Sequence, residues 1–404
     1  MTETTRIYAD NNATTAVAPE VAEAMQPFFG PAFYNPSSMY EPALKVAEAL
    51  KASRKTVAGF LGGVPETEVL FTSCATESNN AAIFGAAAAT PARKHILTSA
   101  VEHPAVLEVC REMQRRGYEV TTLGVDRQGR IATADYVRAL RPDTLLVSLM
   151  HANNETGVVW PVGDWARIAK ETDPGIVFHT DATQTAGKMP LDLTGDLKHV
   201  DLLSFSGHKM HAPKGVGVLY VRRGTPLRPY LLGGHQEGGR RGGTENTAYI
   251  AGLARACGLA KEHAADMARI AQLRDDLQAE LLRTIPHLEV NGEGVERTPN
   301  TLNLSCHFIE GEAILYELDG YGICASTGSA CSSGSLEPSH VLKALGVPFT
   351  AMHGSVRLSF SAYTTEAEVK RIAEVLPKVV ADLRKMSPYW DQKNNRPRDN
   401  IPGA

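Results

Sequence analysis

DLLSFSGHKMHAPKG, residues 201–215, combines a short apolar run with a polar loop that contains glycine. The apolar run predicts a strand, which delivers Ser206, His208 and Lys209 to its carboxyl end. Partial burial at that position lowers the pKa of a lysine, and an amine with a lowered pKa readily forms a Schiff base. A lysine that merely extends its amine from a strand end into solvent is the alternative interpretation.

The same pattern occurs upstream, where short apolar runs end in polar residues and helical sequence follows. These runs are EVLFTS (68–73), HILTSA (95–100), TLLVSLM (144–150) and IVFHTD (176–181). Alternating strands and helices predict an α/β fold with a mainly parallel central sheet and helices on both of its faces. Such sheets bind ligands at the carboxyl ends of their strands. The polar residues at these ends are therefore candidates for one shared site.

The composition of the chain favours an enzyme that acts on small molecules. Its 404 residues are 43% hydrophobic, and the net charge of -4 comes without any basic cluster for nucleic acid. The chain lacks both the ~18 consecutive apolar residues of a membrane helix and a signal-peptide pattern at its start, so we expect a cytoplasmic location. The six cysteines predict reduced thiols and no intrinsic metal site.

Asp181 ends the strand before the one that carries Lys209, so we expect the two side chains on neighbouring strands. A carboxylate beside a pyridine nitrogen keeps that nitrogen protonated, which makes pyridoxal phosphate (PLP) an electron sink. Capping of a helix is the alternative role for Asp181. Gln184 follows about one helical turn later and would point into the same crevice.

Residues 71–85, FTSCATESNNAAIFG, predict a strand followed by an Ala-rich helix. The unpaired amides and the positive dipole end of that helix attract an anion such as phosphate, and Thr76 adds a hydroxyl. Capping by Ser73 or Thr76 without any ligand is an equally good interpretation. The chain contains neither GxxxxGK[ST] nor GxGxxG, which argues against a nucleotide.

Four further residues complete the candidate site. His103 begins a helix after a strand, where an imidazole could stack on a ring and move protons, although a single histidine is usually structural. Asn153 and Asn154 follow a strand, but adjacent asparagines are also common in turns. Arg357 on the predicted strand GSVRLSFS suits a substrate carboxylate, because a guanidinium binds it with two hydrogen bonds. A surface salt bridge is the alternative for Arg357.

Cys331 lies in GICASTGSACSSGSLEPSHVL, residues 322–342, among serines and glycines that cannot pack a core. This setting predicts an accessible and reactive thiol. Cys324 lies in the apolar run YGICAS and is predicted to be buried and inert.

The chain is predicted to form two domains. Residues 1–15 form an arm that packs on the small domain, and residues 16–260 form the large PLP-binding domain. Residues 261–390 form a small α+β domain that carries Cys331, and residues 391–404 form a polar tail. The glycine-rich stretch 214–246 is expected to be a loop region, and residues 262–284 a long connecting helix.

In its motifs the chain resembles the cysteine desulfurases, which are fold-type I PLP enzymes of the class-V aminotransferase family, and most closely the nitrogen-fixation (NifS) type. The motifs that carry the resemblance are YADNNATT (8–15), NPSS (35–38), FTSCATES (71–78), EHPAVL (102–107), ANNETG (152–157), HTDATQ (179–184), SGHKMHAPKG (206–215), GGHQEGGRRGGTEN (233–246), EGEAIL (310–315), GSACSSGSLEPSHV (328–341), VRLSFS (356–361) and RKMSPYW (384–390). They span almost the whole chain.

The resemblance implies a role for each candidate residue. Lys209 matches the lysine that binds PLP covalently, and Cys331 matches the nucleophile that forms a persulfide. The other matching cofactor residues are His103 on the ring, Asp181 at the pyridine nitrogen, Asn154 and Gln184 near the phenolic oxygen, Ala75, Thr76, Ser206 and His208 at the phosphate, and the neighbouring Gly207. Arg357, with Asn154, matches the substrate-binding group, and Thr244 matches a threonine that reaches the partner subunit's phosphate.

The resemblance also implies an activity and partners. The enzyme would take sulfur from L-cysteine, release L-alanine and pass the Cys331 persulfide to an iron–sulfur scaffold protein for nitrogenase cluster assembly. It would act as a homodimer with composite active sites. Another PLP reaction, such as transamination or selenocysteine cleavage, is the rival enzymatic hypothesis, and it leaves Cys331 without a role. A non-catalytic sulfur carrier is the rival from another class, and it leaves the cofactor-type residues without one.

Overall fold

The computed structural model describes residues 6–327, 338–394 and 396–398. Its strands are β1 (Ile7–Tyr8), β2 (Val69–Thr72), β3 (His95–Ser99), β4 (Glu119–Leu123), β5 (Thr144–Ser148), β6 (Val177–Asp181), β7 (Leu202–Ser206), β8 (Gly217–Val221), β9 (Leu288–Val290), β10 (Thr301–Cys306), β11 (Ile323–Cys324), β12 (Ser355–Ser359), β13 (Trp390–Asp391) and β14 (Arg396–Pro397). Its α-helices are α1 (Pro19–Met25), α2 (Glu41–Phe60), α3 (Ala75–Ala89), α4 (Pro104–Arg115), α5 (Thr133–Ala139), α6 (Val162–Thr172), α7 (Thr247–Glu262), α8 (Asp266–Thr284), α9 (Gly311–Gly320), α10 (His340–Ala344), α11 (Phe349–Met352) and α12 (Glu366–Met386).

The central sheet has seven strands in the order β2-β8-β7-β6-β5-β3-β4. Neighbouring strands from β7 to β4 run parallel, whereas β8 runs antiparallel to both β7 and β2. This confirms the predicted α/β fold with a mainly parallel sheet. Asp181 on β6 pairs with Ser204 on β7, so the carboxyl ends of these two strands are neighbours, as the sequence predicts.

Helices cover both faces of this sheet. Successive residues of one strand point to opposite faces, so Leu202 packs in the cluster under α3 and α4, whereas Leu203 packs in the cluster that contains α2 and α7. Because both faces are buried, the inner strands are mostly apolar, and a polar side chain inside them needs buried partners, as His179 of β6 finds in Ser148 and Ser204. Other polar groups lie where the strands end.

A second hydrophobic cluster surrounds the small antiparallel sheet β12-β10-β9 and includes residues of α8, α9 and α12. The N-terminal segment joins this part of the chain, because β1 pairs in parallel with β11 and Ala9 is buried in the same cluster. Within the described ranges, no helix combines the length and apolar character that crossing a bilayer requires.

One expectation about local structure is wrong, and two elements were not predicted. The stretch 214–246 is not all loop, because GVLYV at 217–221 forms β8 within the buried sheet. The edge strand β4 was not predicted, since its residues EVTTL are half exposed and not a buried apolar run. The long helix predicted over 262–284 is α8, which begins at Asp266, whereas the helix α7 before it was not predicted.

Gly217 begins β8 where this strand passes the start of α3. A Cβ atom at Gly217 would lie 2.8 Å from the carbonyl carbon of Cys74 and 2.9 Å from the backbone oxygen of Phe205. Because these neighbours are backbone atoms of the sheet and of the helix start, we expect Gly217→Ala to lower the free energy of unfolding by about 1–3 kcal/mol. Chemical denaturation measures this change, and Gly30→Ala is the control because a Cβ atom there meets nothing within 4 Å. Equal stability of the two variants would contradict this packing.

Candidate active site

A cavity of about 420 Å³ opens at the carboxyl ends of the parallel strands, a size that accommodates a small ligand or cofactor. The sequence-predicted residues that line it are Ala75, Thr76, His103, Asn154, Asp181, Gln184, Ser206, His208, Lys209 and Arg357. The polar groups that follow separate strands thus meet in one place, as the parallel sheet predicts.

Lys209 ends the short 3-10 turn Gly207–Lys209 that follows β7. Its Nζ atom donates hydrogen bonds to the backbone oxygens of Asn12, at 2.8 Å, and Ala13, at 2.6 Å. The amine therefore points into the site and not to solvent, which overturns the interpretation of a lysine that reaches water. The acceptors lie in the N-terminal segment, whose motif YADNNATT gave the only sequence signal for them.

Asp181 is the last residue of β6 and is only 6% exposed. Its Oδ2 atom accepts a hydrogen bond from Asn79 Nδ2 at 2.7 Å, and Oδ1 accepts from the backbone amide of Thr183 at 2.9 Å. The residues after Asp181 form turns and not a helix, so the alternative of helix capping is wrong. The first contact directs the carboxylate toward the cavity wall formed by α3. Asn79 was not predicted, although it lies on the same helix as Thr76.

The start of α3 fits an anion such as phosphate. The residue before the helix, Cys74, makes no capping hydrogen bond through its side chain, so neither Ser73 nor Thr76 acts as the predicted alternative cap. The amides of the first turn thus remain as donors beside the cavity. Ser206, at the end of β7, has a buried hydroxyl that finds no hydrogen-bond partner among the described residues. A bound phosphate would satisfy both sets of donors.

His103 is the residue before α4, and its Nδ1 atom accepts a hydrogen bond from the amide of Ala105 at 3.1 Å. This hydrogen bond places the proton of the neutral imidazole on Nε2. Burial lowers the pKa of His103, the cation of Lys209 lowers it further, and the carboxylate of Asp181 opposes the shift. His208 also lines the cavity, and burial lowers its pKa to about 4. Both imidazoles are therefore neutral at physiological pH.

Arg357 lies on β12 and is 2% exposed, so the surface salt bridge considered for it is wrong. One terminal nitrogen donates to Asp10 Oδ1 at 2.8 Å, and the other donates to the backbone oxygen of Asn154 at 3.0 Å. A buried guanidinium held in this way is a strong binding group for a substrate carboxylate, because little water competes for it. Asp10 was not predicted as part of the site.

Two buried acids, Glu102 and Glu155, lie beside the cavity. Glu102 accepts hydrogen bonds from Ser99 Oγ and from the amide of Met150, and burial raises its pKa to about 8. Glu155 accepts a hydrogen bond from Ser339 Oγ at 2.5 Å, and burial raises its pKa as well. Their positions beside His103 and Asn154 in the sequence were the available signal.

Two predicted positions among the described residues are not part of this cavity wall. Thr244 is exposed and does not line the cavity of the single chain, and Gly207 supports the turn without lining it. Cys331 lies outside the described residues. Cys324 is only half buried, which corrects the prediction of a buried thiol, whereas Cys110 and Cys257 are buried.

The residues that line this cavity fit PLP. Lys209 supplies the amine for its aldehyde, and Asp181 supplies a carboxylate for the pyridine nitrogen. The start of α3 and the unpartnered hydroxyl of Ser206 suit the phosphate. The fold and the site together define a PLP-dependent enzyme of fold type I.

Comparisons with known proteins agree with this class. The family model for class-V aminotransferases matches residues 7–372. "Cysteine desulfurase 2" of Trichormus variabilis is 52% identical over 383 residues, which cover 95% of each chain. "Cysteine desulfurase NifS" of Azotobacter vinelandii is 51% identical, again over 95% of each chain. A solved NifS-like protein superimposes with a TM-score of 0.87 at 37% identity and covers 94% of this chain and 100% of its own.

The chain therefore belongs to the class-V aminotransferase family, within its cysteine desulfurase branch of the NifS type. It is a PLP-dependent enzyme, as the sequence predicts.

Glu102 predicts a pH dependence of stability. Its pKa in the folded protein is raised from 4.5 to about 8 by burial, so its contribution is fully present below about pH 4.5 and is lost as the pH rises through 8. Relative to Glu102→Gln, the wild-type holoenzyme should lose on the order of a few kcal/mol of unfolding free energy between pH 5 and pH 8. Urea denaturation at both pH values measures this difference. Exposed Glu48→Gln is the control, and parallel profiles for Glu102→Gln and wild type would refute the prediction.

Proposed function

We propose that the enzyme removes sulfur from free L-cysteine, releases L-alanine and keeps the sulfur as a persulfide on Cys331. The observation that carries this proposal is the single cavity in which Lys209, Asp181 and His103 meet a buried arginine, Arg357. The first three suit a PLP enzyme, and the arginine suits the carboxylate of an amino-acid substrate. The names of relatives that are about 50% identical support cysteine as that amino acid.

The residues of the site have separate roles in this reaction. Arg357 binds the substrate carboxylate, and Asn154, whose backbone oxygen accepts from Arg357, keeps the guanidinium in place. Bound PLP supplies an electron sink that stabilises negative charge at the substrate carbon atoms. Asp181, held by Asn79, keeps the pyridine nitrogen protonated. The amine of Lys209 takes the Cα proton once the substrate occupies the site.

His103 transfers protons between the Cys331 thiol and the substrate. Its neutral ring carries a proton on Nε2, because Nδ1 accepts from the amide of Ala105. The lowered pKa of His103 makes the ring a weak base that gives up an acquired proton readily. An imidazole with this property suits the exchange of a proton between the Cys331 thiol and the substrate.

The transfer of sulfur from the substrate to Cys331 needs no external oxidant. The thiolate of Cys331 attacks the substrate sulfur, so that an S–S bond forms while the Cβ–S bond breaks. The electron pair of the broken bond stays on Cβ, which takes up a proton to become the methyl group of alanine, and Lys209 returns its proton to Cα. The serine- and glycine-rich sequence around Cys331 supports this role, because it differs from the apolar surroundings of Cys110 and Cys257.

The acceptor that we propose for the persulfide sulfur is an iron–sulfur scaffold protein that serves nitrogenase cluster assembly.

We also propose the division into an arm, a large domain (16–260), a small domain (261–390) and a tail, as predicted from the sequence. A reducing compartment such as the cytoplasm suits the free thiols of Cys110, Cys257 and Cys306.

We further propose a homodimer. An apolar surface is exposed on residues 29–44 and on Tyr230, Leu231 and Leu232, including Met39 at 93% and Leu232 at 81% exposure. Surfaces of this kind usually bind another protein. Thr244 follows the second of these segments and is exposed, so a second copy of the chain could receive it at its phosphate site.

The thiol role predicts the behaviour of Cys331→Ala. This holoenzyme should keep the visible absorption of PLP but form neither sulfide nor alanine above background when given L-cysteine and a reductant, because no nucleophile takes the sulfur. Cys324→Ala is the control, since this half-buried thiol lies seven residues earlier. Alanine formation by Cys331→Ala at the wild-type rate would exclude the persulfide. If L-cysteine changes the PLP absorption band of wild type but no alanine forms, the enzyme catalyses another PLP reaction. If wild type stays colourless when PLP is added, the chain is a non-catalytic sulfur carrier.

The dimer proposal predicts that Leu232→Asp raises the dissociation constant of the dimer by about tenfold or more, because a carboxylate would be desolvated in the interface. Analytical ultracentrifugation measures this constant. Tyr316→Asp is the control, because Tyr316 is similarly exposed but lies on α9, away from both segments. Equal dissociation constants for the two variants would show that the apolar surface is not the interface.

A further inference from the structure

A second lysine lies beside the active-site lysine. Lys188 follows Gln184 by four residues, and its half-buried side chain borders a small cavity of about 40 Å³ that Lys209 also borders. Its Nζ atom donates to Gln184 Oε1 at 2.8 Å and to Asn12 Oδ1 at 3.3 Å. Burial lowers the pKa of Lys188 well below its usual value, and the charges of Lys209 and Arg357 lower it further. The proposed reaction does not use this amine.

Lys188 supports one orientation of the Gln184 amide. The oxygen of this amide accepts from Lys188, and its nitrogen donates to the backbone oxygen of Asn12 at 3.1 Å. A carbonyl oxygen such as that of Asn12 can only accept, so both contacts require the same orientation. Without Lys188 the amide oxygen would lose its donor, and the contact with Asn12 alone would hold the amide.

The oriented amide lies next to the reactive amine. The backbone oxygen of Asn12 accepts from Gln184 Nε2 and also from Lys209 Nζ, at 2.8 Å, so the two donors are neighbours. PLP carries its phenolic oxygen on the carbon next to its aldehyde, the group that a lysine binds. A donor beside Lys209 therefore suits that oxygen, and its hydrogen bond favours the deprotonated form of bound PLP.

We propose that Lys188 is a positioning residue of the PLP site, which holds the Gln184 amide so that its N–H group faces the cofactor. The contact of Lys188 with Asn12 extends this support to the N-terminal segment. Asn12 Oδ1 also accepts from Asn300 Nδ2 at 3.0 Å, and Asn12 Nδ2 donates to Thr301 Oγ1 at 2.8 Å. The proposal rests on PLP binding alone and does not depend on the sulfur chemistry.

Lys188→Met tests the proposal in the PLP-loaded enzyme, because methionine has a similar length but no donor. Without L-cysteine, we measure the rate of PLP release and the pH midpoint of the visible absorption band. We expect about tenfold faster release, since a buried acceptor loses its partner, and a midpoint about one unit higher. Lys198→Met, at an exposed position, is the control and should match wild type in both measurements.

A double-mutant cycle separates positioning from a general electrostatic or structural effect. Lys188→Met should change neither quantity further in a Gln184→Ala background, because the amide that it orients is then absent. An undiminished effect in that background would overturn the proposal, as would wild-type values for Lys188→Met itself. If Lys188→Met does not fold, judged by thermal unfolding of the apoenzyme, Lys188→Leu takes its place with the same expected and overturning results.

Discussion

Three basic side chains, Lys188, Lys209 and Arg357, lie around two cavities that Lys209 borders in common, and a single short segment of the chain supplies acceptors to all three. Residues 10–13 provide the Asp10 carboxylate for Arg357, the Asn12 side chain for Lys188, and the backbone oxygens of Asn12 and Ala13 for Lys209. Gathering basic groups away from water is unfavourable unless each finds hydrogen-bond partners. The site therefore depends on this segment as much as on the sheet.

The regular pairing of β1 with β11 ends at Tyr8. The segment that follows is anchored on β12, where Asp10 forms a bridge with Ser359 and Asn11 Nδ2 donates to the oxygen of Ser359 at 2.9 Å. It joins the small sheet, which carries Arg357, to the large sheet, which carries Lys209.

The site also depends on the register in which the strands of the large sheet pair. Pairing of Asp181 with Ser204 brings the ends of β6 and β7 together, and these ends carry the carboxylate, the unpartnered hydroxyl of Ser206 and the lysine turn. The groups of the site are thus held by strands that are buried on both faces, whereas the amides that suit a phosphate come from the start of α3. The buried strands and the start of α3 thus line the same cavity.

The sequence alone determined the fold class and most of the cavity, because apolar strands that end in polar residues must bring those ends together in a parallel sheet. Patterns of this kind are local, so Lys209, Asp181 and His103 could be identified without coordinates. Strand β8 was missed because its five residues lie within a glycine-rich stretch, and α7 was missed because it is almost apolar all round. Asp10, Asn12, Asn79 and Lys188 could not be assigned, since their roles arise from contacts between residues far apart in the chain. Only the tertiary structure decides such contacts, because whether a buried charge has a partner depends on the groups that packing brings to it.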